Sequence, residues 1–166
     1  MKLVQYLLIA VLALGLAGCA RDLAPNFVAR DQVMVDQNTG LVWMKNANRP
    51  GKPLIWRGED NVYYYIQALN EQNFAGYSDW RVPTREEFTL MIDYAKKSGY
   101  DPKKIETWPF NRLMTFGFTD VRDYDYWTAS RQSAQEIWTA DMAKGTLQPK
   151  TEAVRYYLWP VRGSIR

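Results

Sequence analysis

The chain contains no histidine and a single cysteine. Without His, neither a Ser-His-Asp nor a Cys-His nucleophile can be assembled, His-based zinc is excluded, and the commonest general base is missing. Cys19 alone cannot form an intrachain disulfide, so a folded domain must be held by its core. The sequence has no Gly-rich loop to cradle a phosphate, no Gly-X-Y stalk and no Lys/Arg-rich block. Its net charge of +3 over 166 residues is too small for the electrostatic footprint of a nucleic-acid binder. No cofactor and no nucleic-acid partner are expected.

What is abundant is aromatic: seven Trp, eleven Tyr and six Phe, enough to build a core without cross-links. The N-terminus has a different character. Lys2 is followed by an apolar run from Leu7 to Leu16 and then by Leu16-Ala17-Gly18-Cys19. The run is shorter than the roughly 20 residues that span a bilayer, and with the small residues after it reads as a secretory signal. Leu-Ala-Gly-Cys resembles the bacterial lipobox, in which Cys becomes the first mature residue and carries the lipid. Two or more acyl chains anchor a protein stably without spanning the membrane. The expected organisation is a lipoprotein signal over 1–18, acylated Cys19 and a tether over 19–26, and one domain over 27–166. The resemblance to sorting rules for such proteins, with no Asp after Cys19, implies the outer membrane.

Within the domain, Phe27-Val28-Ala29, Val33-Met34-Val35 and Leu41 to Met44 are strand candidates around the turn cluster Asp36 to Gly40. After a Pro/Gly-rich loop, 48–58, Val62, Tyr65, Ile66 and Leu69 recur at helical spacing, with Asp60 or Asn61 as N-cap. A second helix begins at Pro83-Thr84-Arg85-Glu86-Glu87, where Thr84 and Glu87 form a capping box. Phe88, Met91, Ile92 and Ala95 face its core, and Gly99 is a left-handed stop. The stretch 107–125 reads as irregular. Strands are expected at Tyr126 to Ser130, Glu136 to Met142 and within Val154 to Arg162, with Lys144-Gly145 as a turn. The class is α+β, an antiparallel sheet with two amphipathic helices.

Four ordered motifs carry a resemblance: Asp36-Gln37-Asn38-Thr39-Gly40-Leu41-Val42-Trp43-Met44-Lys45, then Gly76-Tyr77-Ser78-Asp79-Trp80-Arg81-Val82-Pro83-Thr84 with Glu87, Tyr126-Trp127-Thr128-Ala129-Ser130, and Trp159-Pro160-Val161-Arg162. On these the chain resembles the Lcl C-terminal domain family (domain of unknown function 1566), which implies a C-type-lectin-like fold. The segment from Trp80 to Glu87 is also similar to the formylglycine-generating branch of that fold, but the reactive late cysteines of that branch are absent. So are the Glu-Pro-Asn and Trp-Asn-Asp motifs of calcium-dependent lectins. What the resemblance implies for Asp79, Trp80 and Arg81 is a role in fixing the loop before the second helix.

Three sets of residues remain as binding candidates. If Tyr65 points inward, Tyr63 or Tyr64 must face outward as an interface anchor. Arg81, Arg85, Lys103, Lys104 and Arg155 are candidates for a basic patch facing an anionic glycan, or simply a solvated surface. Asp120, Asp123 and Asp125 are weak candidates for a calcium cage or for salt bridges to Arg122 and Arg131. The expected function is that of a non-catalytic outer-membrane lipoprotein, an accessory or scaffolding subunit that binds another envelope protein or itself. The alternative is an adhesin or glycan-binding module for a glycosaminoglycan-like polyanion. Replacing Cys19 by Ala is expected to leave the precursor unacylated and out of the membrane fraction while the domain still folds; fractionation unchanged in the variant would exclude the anchor.

Overall fold

The computed structural model describes residues 23–165. The signal segment, Cys19 and the first part of the tether lie outside the described residues.

Three short strands open the domain as a meander: β1 (Phe27–Arg30), β2 (Val33–Asp36) and β3 (Val42–Met44), paired antiparallel. The turn between β2 and β3 is organised by one carboxylate. Asp36 accepts the backbone N–H of Asn38 at 2.9 Å and the hydroxyl of Thr39 at 2.7 Å, and Gly40 supplies the left-handed conformation, φ 79°, that closes the turn. The C-terminal strand β9 (Val161–Arg162) pairs with β3. The order β1-β2-β3-β9 therefore brings both ends of the domain into one sheet.

The two expected helices form. α1 (Val62–Glu71) is capped by Asn61, whose side-chain oxygen accepts from the N–H groups of Tyr63 and Tyr64 at 2.9 and 3.0 Å. Val62 and Leu69 are buried, with Tyr65 and Ile66 half-buried beside them. α2 (Arg85–Lys97) begins with the capping box: the Glu87 N–H donates to Thr84 Oγ1 at 3.3 Å, and the Thr84 N–H donates to Glu87 Oε2 at 2.8 Å. Acidic residues in its first turn and Lys96 and Lys97 in its last complement the helix dipole.

The stretch 107–125 corrects the sequence expectation, because it contains a third helix, α3 (Pro109–Thr115). Pro109 opens this helix: at N1 the missing N–H is one that would have no partner in any case. Leu113 is its fully buried anchor, and Gly117, φ 106°, ends it.

The remaining strands are β4 (Leu54–Ile55), β5 (Asp125–Arg131), β6 (Glu136–Asp141), β7 (Thr146–Thr151) and β8 (Arg155–Tyr156). The expected antiparallel pairing holds throughout the named strands, but it is divided among three sheets, β1-β2-β3-β9, β4-β8 and β5-β6-β7. β4 lies in the segment read as loop, and β7 was hidden by its polar sequence, Thr-Leu-Gln-Pro-Lys-Thr. As an edge strand it tolerates Pro149, which has no N–H to donate. Gly145 in the β6–β7 turn is sterically required, since a Cβ there would lie 2.6 Å from Lys96 Cε and 2.8 Å from Pro109 Cγ.

Aromatic rings fill the core. Trp43, Phe88, Tyr126 and Trp159 form its centre, with Trp159 donating its indole N–H to the Met44 carbonyl at 2.7 Å. A second cluster, around Trp56, Trp127, Val82 and Leu158, lies between α1 and β5. This is an α+β architecture. Thr84→Ala is expected to lower stability by about 1 kcal/mol through loss of the α2 cap; a chemical-denaturation midpoint identical to that of the parent would show that the cap contributes nothing.

Candidate functional site

The segment before α2 joins two sheets. Arg81 exchanges both backbone hydrogen bonds with Val161, at 2.9 and 3.0 Å, and the Pro83 carbonyl accepts from Ala129 N–H in β5 at 2.7 Å. Trp80 is held upstream by Asn70, whose side-chain oxygen accepts from Trp80 N–H at 2.7 Å and whose amide donates to the Trp80 carbonyl at 3.0 Å. The Trp80 indole N–H meets the Phe74 carbonyl at 3.0 Å. Asp79 accepts from Arg162 Nε at 2.6 Å, and this hydrogen bond holds its carboxyl below the usual carboxylate range.

Beneath this loop lies a buried ion pair. Glu87, 3 % exposed, takes both guanidinium nitrogens of Arg81, at 2.8 Å to Oε2 and 2.6 Å to Oε1. Arg81 Nη2 also donates to the Gly163 carbonyl. The bidentate fork matches the carboxylate in geometry as well as charge, and one of the two oxygens, Oε2, also closes the capping box. Arg81 is therefore a brace between α2 and the C-terminal strand.

Above the brace, a groove of about 320 Å³ is lined by Trp56, Tyr63, Ile66, Val82 and Ala129, with Arg81 and Thr84 at one side. Tyr63 and Tyr64 are 53 % and 64 % exposed, so both rings, not one, project from α1. Tyr65 turns inward, and burial pushes its phenol up to about 12, with Arg49 opposing the shift. Tyr63 packs edge-on to Trp56, ring centroids 5.2 Å apart. The Trp56 indole N–H is buried without a hydrogen-bond partner among the described residues, which sets it apart from the paired indoles of Trp80, Trp127 and Trp159. A buried donor left unpaired is uncommon and costly. The groove's lining is mostly apolar, with Arg81 its one charged residue.

The model of the Lcl C-terminal domain matches residues 32–162, a span that runs from the β1–β2 turn to β9 and includes the whole brace. The chain belongs to the Lcl C-terminal domain family. No curated protein matches the chain.

The other candidate residues are dispersed over this Lcl C-terminal domain. Arg85 lies at the start of α2 with its guanidinium over Trp138, 4.0 Å from the ring centroid. Lys103 and Lys104 follow the far end of α2, separated from Arg85 by about 18 Å along a helix of this length. Arg155 lies on β8 beside Tyr156. With Arg81 committed to Glu87, the five cations do not form the single basic patch considered from the sequence. The calcium candidates are also apart in function: Asp120 pairs with Arg122 at 2.8 Å and accepts from Asn48, Asp125 accepts from Thr139 and faces Lys150 at 3.4 Å, and Asp123 is exposed. Among the described residues no three acids or cysteines converge as a metal site. Of the proposed bridges, Arg122 meets Asp120, whereas Arg131 binds Glu152 at 2.7 Å.

Sequence reading did not single out Trp56, Ile66 or Val82 as groove residues; a Trp inside a Pro/Gly-rich loop was the available clue. For this domain Glu87→Ala is expected to cost about 3 kcal/mol, at the low end of the 3–5 found for breaking a buried pair because Arg81 retains some solvent contact. Asp79→Ala, which removes an exposed pair, should cost under about 1 kcal/mol. Equal denaturation midpoints for the two variants would contradict the brace.

Proposed function

We propose that this protein is a non-catalytic lipoprotein, anchored to the outer membrane through Cys19, whose Lcl C-terminal domain binds another cell-envelope protein as an accessory or scaffolding subunit. The observation that carries the reading is the exposed ring of Tyr63 lining an apolar groove, with the exposed Tyr64 next to it on α1. Tyrosine presents a large, stiff, amphipathic surface at little entropic loss, and such residues beside a desolvating pocket are typical interface anchors.

The chemistry of the interior favours the same reading. Its most buried carboxylates have structural partners: Asp36 closes a turn, Glu87 braces α2, and Asp141 accepts from the N–H groups of Ala143 and Lys144 at 2.9 Å each. Asp141 stands opposite Asp125 across the β5–β6 ladder, but each has its own donors, the Ala143 and Lys144 N–H groups for the one and Thr139 Oγ1 and Lys150 for the other, the pattern of structural carboxylates and not of the acid and base that hydrolysis by carboxylates needs. The apolar groove suits a protein side chain better than a polyanion, and the dispersal of Arg81, Arg85, Lys103, Lys104 and Arg155 gives a sulfated polymer no continuous track.

The test is to recover the acylated protein from its native envelope in mild detergent and identify by mass spectrometry what accompanies it. A stoichiometric protein partner is expected. It should be lost from the Tyr63→Ser/Tyr64→Ser double variant, whose fold is checked by circular dichroism because Tyr63 gives up its edge contact with Trp56. Recovery of the protein alone, or partner binding indifferent to both substitutions, would refute the reading.

A further inference from the structure

A second concave site surrounds Arg49 and shares no lining residue with the groove. Its main part is a pocket of about 180 Å³ whose walls include Asp31, Met44, Lys45, Arg49, Phe74 and Thr119. Segments distant in sequence are bonded together there. Lys45 donates its N–H to the Gln32 carbonyl at 2.9 Å, and its carbonyl accepts from Thr119 N–H at 2.8 Å, which sets the β1–β2 turn, the end of β3 and the segment after α3 side by side. Phe74 comes from the turn between α1 and α2. Its carbonyl takes the Trp80 indole N–H at 3.0 Å and the Tyr77 N–H at 3.1 Å. Its two neighbours, Asn73 and Ala75, are both left-handed, φ 49° and 55°. An alanine rarely adopts that conformation, and backbone strain of this kind collects at ligand sites.

The lining divides by chemistry. Met44 and Phe74 are buried and give the pocket an apolar floor. Arg49 is exposed, with its guanidinium stacked on that floor 4.0 Å from the Phe74 ring centroid. Among the described residues, neither Arg49 nor Lys45 has an ion pair or a side-chain hydrogen bond, and the exposed carboxylate of Asp31 has none either. Arg49 is also a wall of a second hollow, of about 360 Å³, which it shares with Tyr65, Leu69 and Gln72. The smaller pocket has room for one side chain, since an apolar cavity of about 150 Å³ holds a benzene ring. The site thus offers an apolar floor, two unpaired cations and one unpaired acid.

An inorganic anion would leave the floor bare and meet Asp31, and a cation would meet Arg49 and Lys45. A hydrocarbon would leave all three charges unused. An α-carboxylate that carries an apolar side chain uses every feature: its side chain covers Met44 and Phe74, its carboxylate takes the planar fork of Arg49 with Lys45 beside it, and its N–H or ammonium donates to Asp31. We infer that this pocket binds an apolar amino-acid residue by its free α-carboxylate, either as the last residue of a polypeptide or as the free amino acid. The second hollow gives the preceding residue of a polypeptide a place against Tyr65 and Leu69. The site is separate from the apolar groove and does not depend on the reading of that groove.

The experiment is titration of the full-length protein in detergent micelles with N-acetyl-L-leucine and its neutral counterpart N-acetyl-L-leucinamide, read by calorimetry and by saturation-transfer NMR. The acid should bind with a millimolar Kd, about ten-fold tighter than the amide, one charge-assisted contact being worth at least that factor. N-acetylglycine, which has no side chain for the floor, should bind about ten-fold more weakly than N-acetylleucine. Arg49→Gln should bring the acid down to the affinity of the amide, and Arg49→Lys, which keeps the charge without the planar fork, should fall between the two. Lys104→Ala, outside the lining, should change neither. Circular dichroism checks that each variant is folded. The Tyr63→Ser/Tyr64→Ser variant should bind N-acetylleucine like the parent, so that a failure here and a failure at the groove are told apart. If polypeptide ends are the target, acetyl-Ala-Leu-Leu should bind several-fold tighter than N-acetylleucine; if the free amino acid is, L-leucine should. Equal affinity for the acid and the amide, binding of the acid unaltered by Arg49→Gln, or no binding of either would overturn the assignment.

Discussion

The Arg81–Glu87 pair is the constraint on which the arrangement of the domain depends. Glu87 is withdrawn from water, and a carboxylate in that position must be fully bonded. Its oxygens hold the Thr84 N–H and two nitrogens of Arg81. The backbone of Arg81 belongs to the sheet through Val161, so the start of α2, the loop before it and the C-terminal strand are fixed by one group. A buried pair of this kind need not be more stabilising than well-packed apolar residues of the same size. Its effect is positional: sliding α2 by a turn would strand a charge in the interior.

The aromatic packing then does what disulfides do in many exported domains. Trp43, Phe88, Tyr126 and Trp159 are joined by five tilted or edge contacts of 5.5–6.4 Å, the geometries that ring quadrupoles favour. A second series, Tyr63–Trp56–Trp127–Tyr156, runs through contacts of 5.2, 5.3 and 4.8 Å. Its outer member Tyr63 lines the groove. The groove is thereby built on a side chain whose other face is core, which limits the conformational entropy it must lose on binding.

What could be read in advance was local. The capping box at Thr84 and Glu87 and the Asp36–Gly40 turn follow from spacings of a few residues, and both stand in the structure; helical spacing required one of Tyr63 and Tyr64 to face outward, and both do. The role of Arg81 was visible only as a motif position, because Gly163 and Val161 are some 80 residues away in the chain. α3 was obscured by Pro109, which breaks a helix in its interior but begins one at N1. β7 was obscured because an edge strand facing solvent keeps little hydrophobic alternation. The groove was illegible for the same reason as the brace: it joins residues of α1, the loop at Trp56, the segment before α2 and β5, which only the folded domain brings together.

Topology also sets where the proposed N-terminal anchor stands relative to the groove. The chain enters the described domain just before β1, which is the outer strand of the sheet β1-β2-β3-β9. Asn26 is held there, its carbonyl accepting from Gln37 N–H at 2.9 Å. Arg81, at one side of the groove, continues that sheet on the far side of β9. Three interstrand steps, about 14 Å, separate β1 from β9, and the groove lies beyond. Under the proposed anchoring, the eight residues from Cys19 to Asn26 reach at most about 29 Å when fully extended. That length keeps the domain near the bilayer. Under that anchoring a tether leaving at the β1 edge begins three strands away from β9, on the side of the sheet opposite to the one that Arg81 extends toward the groove.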